Sequence, residues 1–222
     1  MASELPMASD TRLLPVVVPI RSLGPEHRDR IATHLLALPP EDRYLRFGYA
    51  ANDEHIRRYV EQLDFEQDDI FGIYNRRLEL IAMAHLAYSR DPNSANCAEF
   101  GVSVLPRARG RGFGRRLFER AVLHARNEGV ELLFIHALSE NVAMLKIARS
   151  AGATLERFGT ETEAFLRLPP ATLDTHMSEL VNEQLAQTDY RLKQQAKSFW
   201  DFLDGVQETR QGVREARHRS GS

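Results

Sequence analysis

The chain has 222 residues, 43% of them hydrophobic and 27% charged, with a formal net charge of −2 and one cysteine. This is the composition of an ordinary globular domain with an appendage, and its near-neutral charge gives no global attraction to nucleic acid or an anionic membrane. There is no apolar run near the ~20 residues of a membrane span and no basic-then-apolar leader, and the single Cys97 excludes an internal disulfide and multi-cysteine metal sites, so a cytoplasmic setting is expected.

Residues 1–12 carry no periodicity and read as a loose tail. Leu13 to Ile20 is rich in β-branched residues, and its two prolines mark an edge or first strand. Gly24-Pro25 opens a helix whose buried stripe is Ile31, Leu35, Leu36 and Leu38, ended by Pro39-Pro40. Glu41 to Phe47 reads as a short helix, and Asn52 or Asp53 caps another through Leu63. Strands are expected at Asp69 to Tyr74 and Leu78 to Tyr88, joined by a tight turn at Asn75-Arg-Arg77, and a second turn lies at Asp91 to Asn96. A strand from Cys97 to Leu105 follows, then a helix from about Gly112 to Asn127 stopped by Gly129. Leu132 to Ala137 reads as a buried strand. Glu140 or Asn141 starts a helix through Ser150, and strands around Ala153–Phe158 and Glu163–Leu168 complete a domain ended by Pro169-Pro170. The domain is therefore assigned to residues 13–170 and a helical extension to 171–222.

The most informative stretch is Val102-Ser-Val-Leu-Pro-Arg-Ala-Arg-Gly-Arg-Gly-Phe-Gly-Arg-Arg-Leu117: a strand, a glycine-rich turn and a helix start. Gly110, Gly112 and Gly114 remove side chains where a bound group must approach the backbone. The first turn of the helix offers unpaired N–H groups and a positive dipole end, which suit a phosphate. Arg109, Arg111, Arg115 and Arg116 add forked donors around the same spot. The physical reading is a pyrophosphate cradle. A nucleotide P-loop is excluded because no Gly-Lys-Ser/Thr run exists. A G-x-G-x-x-G dinucleotide fingerprint is excluded because Gly110, Gly112 and Gly114 are spaced two and two.

The segment Arg109-Gly-Arg-Gly112-Phe-Gly114, after Val104-Leu-Pro106, resembles the acetyl-CoA loop of the GNAT N-acetyltransferases, Arg/Gln-x-x-Gly-x-Gly/Ala after a strand. The order of elements over residues 13–168 is similar to the GNAT fold. The resemblance therefore implies an α/β (α+β) mixed, twisted sheet of six to seven strands flanked by helices, here with a C-terminal helical extension. Asn141 to Gly152 looks particularly like the acetyltransferase domain of bacterial Pat-type protein lysine acetyltransferases, and Arg43-Tyr-Leu-Arg-Phe47 also resembles that group.

The resemblance implies acetyl-CoA as cofactor, coenzyme A as product, and direct attack by the amine of a protein lysine or a small molecule. It places the pantetheine arm against Val102, Ser103 and Val104 and the pyrophosphate on Arg109, Gly110, Arg111, Gly112, Phe113 and Gly114. Asn141 would hydrogen-bond the arm, or serve as a helix cap, or both. An alkylammonium has a pKa near 10, so a base must first remove its proton. Glu99, at the start of the cofactor strand, matches the family's acidic base. Ala98, Phe100 and Val102 would raise its pKa if they desolvate it. His85 and His136, each inside a buried-looking strand, are competing proton carriers, and Cys97 reads as an inert buried thiol. The histidines show no metal-binding spacing. One departure stands out. Where many relatives place a tyrosine to protonate the leaving thiolate, this chain has Ala148.

In the extension, Leu185, Leu192, Phe199, Val206 and Val213 recur every seven residues, broadened by Trp200 and Leu203 and preceded by Met177, Leu180 and Val181. Charged Asp189 and Arg210 break a sustained coiled-coil seam. The stripe is expected to pack on its own domain or on a second copy, giving a homodimer. A different reading of the whole chain is an acyl-CoA-binding sensor that acts on a partner through these helices. RNA binding by the Arg/Gly loop is a third reading that the net charge disfavours.

Overall fold

The computed structural model describes residues 18–91, 96–194 and 197. A seven-stranded sheet has the order β1-β2-β3-β4-β5-β7-β6. Its strands are β1 (Arg21–Ser22), β2 (Asp68–Tyr74), β3 (Leu80–Tyr88), β4 (Cys97–Val104), β5 (Leu132–Leu138), β6 (Thr154–Phe158) and β7 (Glu161–Arg167). All neighbours are antiparallel except β4 and β5, which run parallel. Helices α1 (Arg28–Leu36), α2 (Pro40–Phe47) and α3 (Asp53–Glu61) join β1 to β2; α4 (Phe113–Asn127) and α5 (Val142–Ser150) bracket β5; α6 spans residues 173–194.

Two apolar clusters lie on opposite faces of the sheet. Alternation along the strands divides them, as the period of two requires. From β2 and β3, Phe71, Ala82, Ala84 and Leu86 join Leu117, Phe118 and Ala121 of α4 and Ala148 of α5. Ile70 and Met83 join Ile31 and Leu35 of α1 and Ile56 and Val60 of α3 on the other face. Because both faces of β2 and β3 are covered, their sequence reads as an almost unbroken apolar run.

Boundaries shift where turn chemistry intervenes. The first strand among the described residues pairs at Arg21–Ser22, beyond the expected Leu13 to Ile20. Residues 18–20 lie outside any strand, in keeping with the missing N–H of Pro19; residues 13–17 fall outside the described chain. Pro25 opens a 3₁₀ turn ahead of α1. Leu78 takes φ +59 within the turn, so β3 starts at Leu80. The Asn75 side chain accepts from the Arg77 and Glu79 amides and closes that turn. Asn52 caps α3 by accepting from His55 N at 2.9 Å. The last strand begins at Glu161, two residues before the expected Glu163.

The extension is where sequence and structure part most. Helix α6 docks against β1, β2 and α4 through a mixed side, on which charged groups flank buried Ala186 and Tyr190. Glu179 accepts from Arg120 at 2.5 Å and from His124, while the opposite ring nitrogen of His124 meets Asp69 at 2.8 Å. Glu183 accepts from Ser22 at 3.0 Å, Lys193 donates to the Tyr74 carbonyl, and Tyr190 is buried beneath Arg21 and Arg30. Leu173, Met177, Leu180, Val181, Leu185 and Leu192 all face outward. The covered side of α6 combines buried Ala186 and Tyr190, the latter part of the apolar cluster with Ile31 and Leu35, with the charges that partner Arg120 and His124 where these are removed from water. Phe199, Trp200, Leu203, Val206 and Val213 lie outside the described residues.

This docking should depend on pH. Desolvation raises the Glu179 carboxyl, but hydrogen bonds from Arg120, Asn127 and His124 outweigh it and hold it at about 2. Desolvation lowers His124, but Asp69 and Glu179 outweigh it and raise it above its ordinary 6.5. The Glu179 contribution is present above its unfolded 4.5 and is lost as pH falls towards 2; that of His124 is present below 6.5 and is lost as pH rises through the raised value. The melting-temperature gap between the wild type and Glu179→Gln should therefore be widest near about pH 5.5 and narrow on both sides. A gap that is flat with pH would contradict this.

Candidate functional site

The site begins where two neighbouring strands part. β4 pairs with β3 as far as Val104, but with β5 only through Cys97↔Leu132, Ala98↔Leu133 and Glu99↔Phe134. Past Glu99 the edge of β4 that faces β5 has no strand partner. The end of α2 and the start of α5 close over the gap. Asn141 caps α5 by accepting from Met144 N at 3.1 Å, and its Nδ2 donates to the Leu45 carbonyl at 3.3 Å. The cap and the inter-helix tie are thus made by one side chain.

Two cavities open along this gap. The larger, about 660 Å³, runs beside Val102, Ser103 and Val104 to Arg109, Gly110, Gly112, Phe113 and Gly114. The smaller, about 290 Å³, holds Glu99, Arg46, His136, Glu161 and Thr162. Leu45, Arg46, Val102, Asn141 and Met144 line both, so the two form one trough.

The sequence of the cradle explains its shape. Leu105 ends β4, and Pro106–Ala108 forms a 3₁₀ turn. Gly110 and Gly112 take φ +76 and +74, and a Cβ on either would meet nothing within 4 Å, so the space over the loop is open. Gly112 is the N-cap of the 15-residue α4 and supplies no side-chain cap, leaving the first-turn N–H groups available. A Cβ on Gly114 would reach Ile147 of α5 at 3.4 Å, an ordinary contact, so packing within the chain does not itself require the third glycine. Open space, uncapped N–H groups and Arg109 at the rim together fit a pyrophosphate. Arg109 donates Nε to the Val104 carbonyl at 3.3 Å and pairs with Asp42 at 2.5 Å. Arg111 is exposed and lines neither cavity, while Arg115 lines the larger one and pairs with Glu119.

Ser103 is oriented by a partner that sequence reading missed. The His34 ring is buried; Nδ1 lies 2.9 Å from the Leu80 carbonyl and Nε2 2.8 Å from Ser103 Oγ. A carbonyl only accepts, so Nδ1 carries the proton and Nε2 accepts from the serine hydroxyl. Burial holds the imidazole at about 4, keeping it neutral in this role. The hydroxyl proton is thereby committed to His34, and the bond fixes the Ser103 side chain on the α1 side of the sheet.

Glu99 is exposed within the smaller cavity. Its expected desolvation by Ala98 and Phe100 does not occur, because strand alternation sends those two into the core beneath α4. His136 is exposed too, 3.6 Å from Glu163 on the adjoining strand, and is not the buried residue its run suggests. His85 is bound into a chain of donors: Arg46 to Tyr59 at 3.2 Å, Tyr59 to His85 Nδ1 at 2.7 Å, and His85 Nε2 to Asp68 at 3.1 Å. Burial pushes the Tyr59 phenol up, against the pull of Arg46. Cys97 is half-buried at the start of β4 and lines neither cavity. Ala148 is fully buried in the core and likewise lines neither cavity. Among the described residues no cluster of His, Cys, Asp and Glu could hold a metal, and no helix is long and apolar enough to cross a membrane.

A sheet parted beside a glycine-rich helix start is the frame of an acyl-CoA-dependent transferase. The sequence model of the acetyltransferase (GNAT) family matches residues 26–153, and the chain belongs to that family. Its fold is similar to the GNAT domain of S. lividans PAT, with 21% identity and a TM-score of 0.57, covering 67% of this chain and 89% of that one. It is similar also to an N-acetyltransferase from Staphylococcus aureus Mu50, with 15% identity, a TM-score of 0.53, and 68% and 98% covered. Another similar structure is yncA from Salmonella typhimurium with its cofactor acetyl-CoA, at 17% identity and a TM-score of 0.53, with 70% and 96% covered.

Gly112→Ala tests the cradle. Left-handed backbone at this position costs an L-residue about 1 kcal/mol of stability, yet the added methyl meets no protein atom. The variant should fold with a modest loss of stability and bind CoA at least tenfold more weakly by calorimetry. Unchanged CoA affinity would place the phosphates elsewhere.

Proposed function

We propose that the protein is an acetyl-CoA-dependent N-acetyltransferase acting on a primary amine, either a protein lysine or a small molecule. The observation that carries this reading is the continuous trough from the Gly110–Gly114 cradle, along the unpaired edge of β4, to the cavity that holds Glu99. Bound acetyl-CoA supplies an activated thioester carbonyl. The chain's own groups do the rest. Gly110, Gly112, Phe113 and Gly114, with Arg109 at the rim and Arg111 reaching in from the exposed loop, hold the pyrophosphate. Backbone groups of Val102, Ser103 and Val104 hold the arm, and an N–H on this unpaired edge polarises the carbonyl oxygen. Asn141, which caps α5 and ties it to α2, lines the trough where it can hydrogen-bond the arm.

Glu99 accepts the proton from the acceptor ammonium, directly or through water. Its exposure suits this, since the proton must leave to solvent after each turnover. Position 148 faces the core in this chain, so another group or water supplies the thiolate's proton, or the thiolate leaves unassisted. A thiol with a pKa of ~8.5 is a fair leaving group. The domain of residues 13–170, its extension over 171–222 and a cytoplasmic setting belong to the same proposal.

Glu99→Gln should lower CoA release from acetyl-CoA at least tenfold with any acceptor the wild type uses, while acetyl-CoA affinity stays within about twofold, since a factor of two is only ~0.4 kcal/mol. Equal turnover in the variant would remove Glu99 from the role.

The outward apolar side of α6 favours a second role for the extension. It covers a second copy in a homodimer or, in the sensor reading, a partner protein. Sedimentation of the wild type against Leu180→Glu/Leu185→Glu separates these. A dimer that dissociates in the double variant supports the homodimer, and a wild type that is monomeric at all concentrations excludes it.

A further inference from the structure

The acceptor side of the trough contains a cation that forms no ion pair among the described residues. Arg46, near the end of α2, lines both cavities. Its guanidinium lies over Gly101 so closely that a Cβ there would stand 2.5 Å from it. Glycine at 101 is thus what allows an arginine from α2 to reach the floor of the cleft. Arg46 is held by Nη2 donating to Tyr59 and by the Phe47 ring, 5.2 Å below it. Among the described residues no carboxylate comes within ion-pair distance of it. Asp68 sits at the far end of the Tyr59–His85 chain, Glu99 stands two residues before Gly101 on the same face of β4, and Glu161 lines the smaller cavity with Arg46 and Glu99.

Resting on the acetyltransferase reading, we infer that Arg46 binds a carboxylate carried by one of the two reactants. A half-buried guanidinium with unused donors recognises a carboxylate through paired N–H bonds. Its neighbour Glu99 presents the opposite charge, about 6.6 Å along the strand at 3.3 Å per residue. The pair of charges therefore matches an amine with a carboxylate a few bonds away: the ammonium at Glu99 and the carboxylate at Arg46, as in a free amino acid. The same guanidinium would equally hold the terminal carboxylate of a dicarboxylic acyl group. A plain alkylamine acceptor with an acetyl donor satisfies Glu99 and leaves Arg46 unmatched.

Two matched pairs of reactants distinguish the sources. One compares amino acids with their decarboxylated amines as acceptors; the other compares succinyl-CoA with butyryl-CoA, which have the same number of acyl carbons. For each pair the ratio of kcat/KM and the ratio of calorimetric Kd are taken within one variant, so any general loss of activity cancels. In the wild type the carboxylated member of one pair should be favoured at least tenfold, and the pair that shows it identifies the source. Arg46→Met should reduce that ratio to near one, and Arg46→Lys should keep part of it. Gly101→Ala leaves the arginine in the chain but displaces its guanidinium, so it should also lower the ratio even if Arg46→Met fails to fold. No preference in either pair, or a preference that survives Arg46→Met or Gly101→Ala, would overturn the role of Arg46. Absence of CoA binding by the wild type would instead overturn the acetyltransferase reading beneath it.

Discussion

The parting of β4 from β5 after Glu99 is the constraint on which the rest of the site depends. Two parallel strands that stayed paired would spend their edge N–H and C=O groups on each other and leave no channel. Here pairing stops after three residues, and each neighbouring feature maintains the opening. Asn141 ties α5 to α2 across it. Gly101 admits the Arg46 side chain into it. The turn after Leu105 swings the chain away from the sheet and into the start of α4. The apolar clusters on both faces hold the sheet rigid up to that point, with Phe100 packed edge-to-face on Phe118 beneath the last paired residues.

The cradle and the strand before it were legible in the sequence because their demands are local. Positive φ at Gly110 and Gly112 and the open space above them require glycine, and glycine is visible in any sequence. The place of Glu99 near the start of that strand was legible by its distance from the loop, and the structure puts it in the smaller cavity. Other features depend on residues far apart in the chain. The contact of Arg46 with Gly101 joins α2 to β4, and the bond from Ser103 to His34 joins β4 to α1; neither leaves a periodic signal. Arg46 had one trace, its place in the Arg43–Phe47 segment. The exposure of His136 was missed because an apolar run does not reveal which face of the sheet the splay opens.

The extension teaches the complementary point. A heptad of apolar residues reveals a stripe on α6 but not what the stripe touches. Arg120 and His124 of α4, unremarkable in sequence, become buried polar groups when the helix lies over them. The polar side of α6 is then the side that satisfies them. The consequence is a helix held to its domain by buried Tyr190 together with the Glu179 ion pairs, with its larger apolar stripe turned outward.

The account makes the parted strands the place where cofactor lies. The most direct measurement is amide chemical-shift mapping of the full chain as acetyl-CoA is added. The account predicts that the largest shifts fall at Gly101 to Val104 and Gly110 to Gly114, with Asn141 following and α6 unchanged. Shifts that spare the edge of β4, or that cluster on α6, would contradict it.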